Sequence, residues 1–353
     1  MLIVDAHLDL AMNAMSLDRD LDLPVMEIRE RERDMTQKGR GRGTVSFPEM
    51  RKGEIGLSVA TVIKRTQWQG SPASGVASQE ISYAAAQGQL AYYRVLESQG
   101  KVNLIEKVSE LDAHLNAWEK DPGQTPLGII LSMEGADPIV WPEQAASWWK
   151  DGLRIVSLSH YGFSAYAYGT DTEGGVTERG EALLREMSKL GMVLDTTHLA
   201  DQAFWEALDL FDGRIMASHQ CSRALVPGVR QFTDEQLKAV VDRDGVIGAA
   251  LDAWMLCPGW IKGETQPEVV GLEAVANNID HVCQLAGNRR HAAIGSDLDG
   301  GYGTEQTPHD CNTIADLQKI APLLSKKGYS DEDIEGIMHG NWIRFFREVL
   351  PED

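Results

Sequence analysis

The chain has 353 residues, a net charge of −20 and 43 % hydrophobic residues. A phosphate backbone would be repelled over most of such a surface, which excludes nucleic acid as an expected partner. The length fits two ordinary domains or one large α/β barrel with insertions.

The four cysteines, Cys221, Cys257, Cys283 and Cys311, form no Cys-x-x-Cys pair and read as reduced thiols, with neither a zinc ribbon nor a thioredoxin-like motif. The apolar stretch at residues 2–4 is short and no basic region precedes it, so no secretory leader is expected; with no run of 18 apolar residues, a cytoplasmic protein without a membrane partner is expected.

In chain order, the apolar run 2–6 leads into His7-x-Asp9. Alternate residues of a strand point to the same side, so the imidazole and the carboxylate can reach one metal ion together. A packed His7 beside an Asp9 that starts a helix is the structural alternative. A long insertion follows, over about residues 10–55. Its run Arg29-Glu-Arg-Glu-Arg-Asp34 reads as a solvated helical face. Lys38-Gly-Arg-Gly-Arg-Gly43 reads as a loop, with a lid near the active face as the alternative.

Further strands are expected at 56–63, 127–133, 153–159, 192–197, 214–218, 246–251 and 292–296. Amphipathic helical stretches lie between most of them, at 78–98, 102–120, 142–150, 177–190, 201–211, 234–242 and 272–286. A helical tail follows at 312–325 and 331–350. Eight strands alternating with helices predict a (β/α)8 TIM barrel, forming a single catalytic domain over 1–353. A doubly wound open sheet is the weaker alternative, because no Gly-x-Gly-x-x-Gly follows any strand.

Metal-competent residues fall at the C-terminal ends of these strands, where a barrel carries its active site. His7 and Asp9 end the first strand, Glu134 follows the third, His160 the fourth, His198 the fifth, His219 the sixth and Asp297 the eighth. The other five histidines, His114, His281, His291, His309 and His339, fall in helices or loops and read as structural or surface residues. Imidazole and carboxylate donors suit a borderline divalent ion such as Zn²⁺. Even without His160, three imidazoles and three carboxylates exceed the needs of one tetrahedral ion. Two ions sharing a bridging carboxylate use them better.

With these motifs in view, the chain resembles the membrane (renal) dipeptidases, metallopeptidases of the amidohydrolase superfamily. The resemblance rests on Asp5-Ala-His-Leu-Asp9, Ser132-Met-Glu-Gly-Ala136, Leu158-Ser-His-Tyr161, Leu194-Asp-Thr-Thr-His198 and Ala217-Ser-His-Gln220. It rests also on Val229-Arg-Gln-Phe-Thr-Asp-Glu-Gln236, Gly295-Ser-Asp-Leu-Asp-Gly300 and Gly340-Asn-Trp-Ile-Arg-Phe345. It implies two Zn²⁺ per subunit, one on His7 and Asp9, the other on His198 and His219, with Glu134 bridging. Asp297 would be the general base and then acid, His160 the oxyanion donor, and Arg230 the clamp on the substrate's free carboxylate. Asp299 competes with Asp297, and Arg223 with Arg230. Cys221 reads as a bystander. The resemblance further implies a dipeptide substrate, including L-D dipeptides, and a homodimer.

The chain departs from the family pattern at Leu8, at Arg230-Gln231, over 161–168 and over 251–255, so the metal chemistry is better marked than the substrate. The alternatives are another amidohydrolase reaction, such as deacylation of an N-acyl amino acid, and a barrel without chemistry that serves as a binding protein.

Overall fold

The computed structural model describes residues 1–352. Its strands are β1 (Ile3–Leu8), β2 (Ile55–Val62), β3 (Val102–Leu104), β4 (Leu127–Met133), β5 (Ile155–Val156), β6 (Val193–Asp195), β7 (Ile215–Gln220), β8 (Ile247–Ala249) and β9 (Ala292–Ile294). All pair in parallel. β2 bridges β1 and β4, and β9 bridges β8 and β1, so eight strands close into a ring and the expected barrel is borne out.

β3 lies outside that ring, along the first residues of β4 (Val102↔Leu127, Leu104↔Ile129). The helix expected over 102–120 is thereby corrected: it begins at Val108. β5 joins β4 only from Ser132, which leaves the start of β4 with an open edge for β3 to fill.

The long strands are buried throughout, as a barrel packed inside and outside requires. Val4, Ala6, Leu57, Val59, Ile130, Val193, Met216 and Ala293 form one core cluster with Trp342, Phe345 and Phe346 of the C-terminal helix Asn341–Val349. Burying each of these phenylalanines contributes about 1.5–3 kcal/mol. A larger cluster joins the other strand faces to the surrounding helices. The expected helical tail is interrupted: residues 314–319 form a 3₁₀ turn, and a π turn over Gly336–Gly340 separates Asp331–Glu335 from the last helix.

The insertion forms the short helices Leu10–Ser16, Val25–Arg31 and Phe47–Lys52. The solvated face expected over 29–34 holds only in part. Glu32 is buried and accepts from Arg19 Nε at 2.9 Å, Arg40 Nη1 at 2.7 Å and Gly41 N at 2.9 Å. Arg29 ties the insertion to Asn312. An inward carboxylate met by such donors is what a buried charge requires, and it ties the 38–43 loop to Arg19 within the insertion.

Candidate metal centre

The barrel brings the strand-end residues to one mouth. Nε2 of His7 lies 3.4 Å from Glu134 Oε1, and Nε2 of His198, His219 and His160 lie at 3.3, 3.5 and 3.7 Å from the same oxygen. His198 Nε2 and His219 Nε2 stand 3.1 Å apart. Asp297 Oδ1 is 3.8 Å from His7 Nε2, and Asp9 accepts from Thr61 Oγ1. Three sets of donors converge: His7, Glu134 and His219; Glu134, His160 and His198; His7, Asp9 and Asp297.

Local backbone geometry aims these groups. His198 and Asp297 adopt φ of 70° and 58°, a region that costs a non-glycine residue about 1–3 kcal/mol and is tolerated where the surroundings fix it. Gly135 follows Glu134 at φ 83°, and a Cβ there would meet His160 Cβ at 3.4 Å.

Two buried aspartates hold the rim. Asp195 of β6 accepts from Thr197 N, Ser218 N and Ser218 Oγ at 3.1, 3.0 and 2.6 Å. With its proton committed there, Ser218 Oγ accepts from His219 Nδ1 at 2.9 Å, which leaves the lone pair of His219 on Nε2, toward the centre. Asp5 of β1 likewise accepts from His7 N at 3.2 Å and from Ser296 N and Oγ at 2.8 and 2.5 Å, locking the residue before Asp297. Sequence reasoning missed both aspartates. The available signal was a serine immediately before His219 and before Asp297.

The electrostatics fit a cation. Burial drives the His7 imidazole down to about 3, and drives His198 and His219 well below the ordinary histidine range, so all three are neutral donors at pH 7. Burial first, then the neighbouring Asp9, pushes Glu134 well up; burial, then Glu134, does the same to Asp297. His7 Nε2 is buried without a hydrogen-bond partner. Crowded lone pairs, repelling carboxylates and an orphaned imidazole nitrogen are together what divalent ions would neutralise.

A cavity of about 500 Å³ opens over these residues and is lined also by Arg65, Arg230, Lys38 and Lys262. Arg230 is buried, and donates to Gln220 Oε1 at 3.0 Å and to His219 O at 3.1 Å. Arg223 does not line this cavity and is engaged by both oxygens of Asp201 at 2.8 Å. Asp299 is taken by Arg19, Thr44 and Val45, whereas Asp297 faces the cavity. Cys221 is buried, and burial pushes its thiol up to about 12.

Arg65, in the loop after β2, is a second residue that the sequence did not single out. Its guanidinium contacts His160 Nδ1. Arginine can only donate, so Nδ1 is the acceptor and the His160 proton sits on Nε2, the nitrogen nearer Glu134.

A closed parallel barrel with imidazoles and carboxylates converging at its C-terminal mouth defines the metal-dependent hydrolase type of barrel. Residues 1–351 match the membrane dipeptidase family, peptidase family M19, and the chain belongs to that family. It is 30 % identical over 205 residues to dipeptidase tcpJ of Claviceps purpurea, a match spanning 56 % of this chain and 45 % of that protein. Among solved structures it is similar to dipeptidase AC, a metallopeptidase of family M19 (21 % identity, TM-score 0.80, 99 % of both chains covered). It is similar also to a metallopeptidase from Rhodobacter sphaeroides liganded with a phosphinate mimic of the dipeptide L-Ala-D-Ala (20 % identity, TM-score 0.79, 99 % of both chains covered). These two likenesses establish the fold. Among the described residues, no helix is long and apolar enough to cross a membrane.

Proposed function

We propose that the chain is a binuclear zinc dipeptidase that hydrolyses the amide of dipeptides with a free C-terminal carboxylate, L-D dipeptides included. The observation that carries this reading is the position of Glu134, which belongs to two of the three converging donor sets. His7 and Asp9 would hold one ion, His198 and His219 the other, and Glu134 would join them. When bound, the ions supply Lewis acidity, easing deprotonation of a water and polarising the scissile carbonyl.

The chain's own residues do the rest. Asp297 faces the cavity 3.8 Å from His7 Nε2, and from there it accepts the proton of the attacking water and returns it to the leaving amine. His160 donates Nε2–H to the oxygen that gains charge as the carbonyl carbon becomes tetrahedral. Arg230 keeps N–H groups free beyond those given to Gln220 and His219, and offers them to the substrate carboxylate. A carboxylate clamp does not by itself fix chirality, which is why L-D substrates are included.

The test is hydrolysis by the zinc-loaded protein of matched L-L and L-D dipeptides beside N-acyl amino acids. Turnover of dipeptides supports the proposal. Turnover of N-acyl amino acids alone moves the chain to deacylation, and failure of L-D members alone removes the L-D part. No turnover of anything supports a binding protein.

A further inference from the structure

The cavity mouth carries more positive charge than one α-carboxylate requires. Arg230 sits deep and is itself buried. Lys262, from the segment after β8, and Lys38, from the insertion, line the same cavity. Lys262 Nζ stands 3.9 Å from the ring centroid of Trp254 and 5.6 Å from that of Tyr161, so aromatic faces hold the ammonium at the wall. Asp252 fixes the platform by accepting from Trp254 Nε1 at 2.6 Å and Gln306 Nε2 at 2.8 Å.

Asp252 is the acidic group that Lys262 feels most, yet its oxygens are already taken by these neutral donors. Among the described residues the Lys262 ammonium makes ring contacts and no ion pair, so its N–H groups are open to a ligand. Lys38 acts on both Asp252 and Lys262 from across the mouth. A second cavity of about 900 Å³ shares Lys38, Lys262 and Gln306 with the first; Arg42 adds a further cation there and Glu305 a carboxylate, while Arg40 is held by Glu32. Asp171 is the one exposed carboxylate on the inner cavity's lining. This basic mouth belongs to a chain of net charge −20, so it is a local feature and not a consequence of composition.

We propose that Lys262 and Lys38 form an anion subsite, and that the substrates carry a second negative group on the side chain of their C-terminal residue, as an aspartyl or glutamyl residue does. The inference rests on the dipeptidase reading. Arg230 and Lys262 line the same cavity, so with the α-carboxylate on Arg230 the proposal assigns the side chain of that same residue to Lys262. Arg230 and Lys262 are close enough to act on each other electrostatically. An anion there gains charge-assisted hydrogen bonds from an ammonium already stripped of part of its water.

The experiment compares charged and uncharged isosteres in the zinc-loaded protein: Ala-Glu against Ala-Gln, and Glu-Ala against Gln-Ala, with either chirality at the second residue. The expected result is kcat/KM about ten-fold higher for Ala-Glu than for Ala-Gln, from one partly screened charge-assisted contact. The Glu-Ala to Gln-Ala ratio should stay near one. In Lys262→Met the first ratio falls toward one, and in Lys262→Glu it inverts. Equal or better turnover of Ala-Gln overturns the proposal, as does a preference that survives Lys38→Met and Lys262→Met together. A preference for Glu-Ala instead would shift the anion subsite to Arg65 and also overturn it. If no dipeptide is cleaved, the dipeptidase reading fails separately. Calorimetric binding of free glutamate and glutamine then still decides the subsite, which requires the tighter affinity for glutamate.

Discussion

Arg65 donates from its guanidinium to Nδ1 of His160, and in doing so decides which nitrogen of that ring carries the proton. The ring's other nitrogen lies 3.7 Å from Glu134 Oε1, at the centre of the donor cluster. A residue from the loop after β2 thereby turns a histidine from β5's end into a fixed donor. Arg65→Met is expected to lower kcat about 10- to 100-fold with little change in KM, since the role proposed for His160 is at the developing oxyanion and not the bound substrate. Arg65→Lys should recover part of the loss. Steady-state kinetics on the three proteins checks this, and ¹⁵N shifts of the histidine ring give a readout that a merely structural Arg65 would not move.

The neighbours Asp297 and Asp299 should fail in opposite ways. Asp297→Asn is expected to cut kcat by about 10²–10⁴ while zinc content and stability are kept. Asp299 is sealed against Arg19 at 3.2 Å, and both side chains are almost fully buried. Asp299→Ala leaves a buried guanidinium short of one partner and should cost about 3–5 kcal/mol of unfolding free energy. Metal analysis, kinetics and denaturant unfolding on the two variants separate the roles.

Much of the site was legible because each donor follows a short apolar run, and a strand end is easy to place even when its exact limits are not. What could not be read was anything held by a distant partner. Asp5 and Ser296 are 291 positions apart, and nothing local marks a buried aspartate inside an apolar strand as a clamp. Asp195 with Ser218 is the same case. Arg29 to Asp34 looked like alternating surface charge. Yet Glu32 turns inward to Arg19, which in turn meets Asp299, a network visible only when the barrel is closed. β3 was lost because three residues of strand merge with the helical pattern that follows. Arg65 carried no motif at all.

Arg230 and Arg223 should separate cleanly in kinetics. Arg230→Met removes the only one of the two that lines the cavity, and should raise KM about 10- to 100-fold for dipeptides. Arg223→Met breaks a partly exposed pair with Asp201 and should change kcat/KM less than about three-fold. Titration of the velocity with substrate in each variant is the measurement.

The Asp195–Ser218–His219 chain predicts an effect on metal affinity without loss of any ligand. Ser218→Ala removes the acceptor of His219 Nδ1–H and frees the ring to adopt the wrong tautomer. Zinc affinity should fall about 10- to 100-fold, measured by competition with a chromogenic chelator.

The binuclear centre depends most on Glu134 joining two sets of donors. Zinc per chain should be counted on protein that has been stripped, reloaded and freed of excess metal. Two ions per chain are expected in the unaltered protein, and one or none, with turnover lost, in Glu134→Ala. One ion or fewer in the unaltered protein, or two retained by Glu134→Ala, would contradict a centre joined by Glu134.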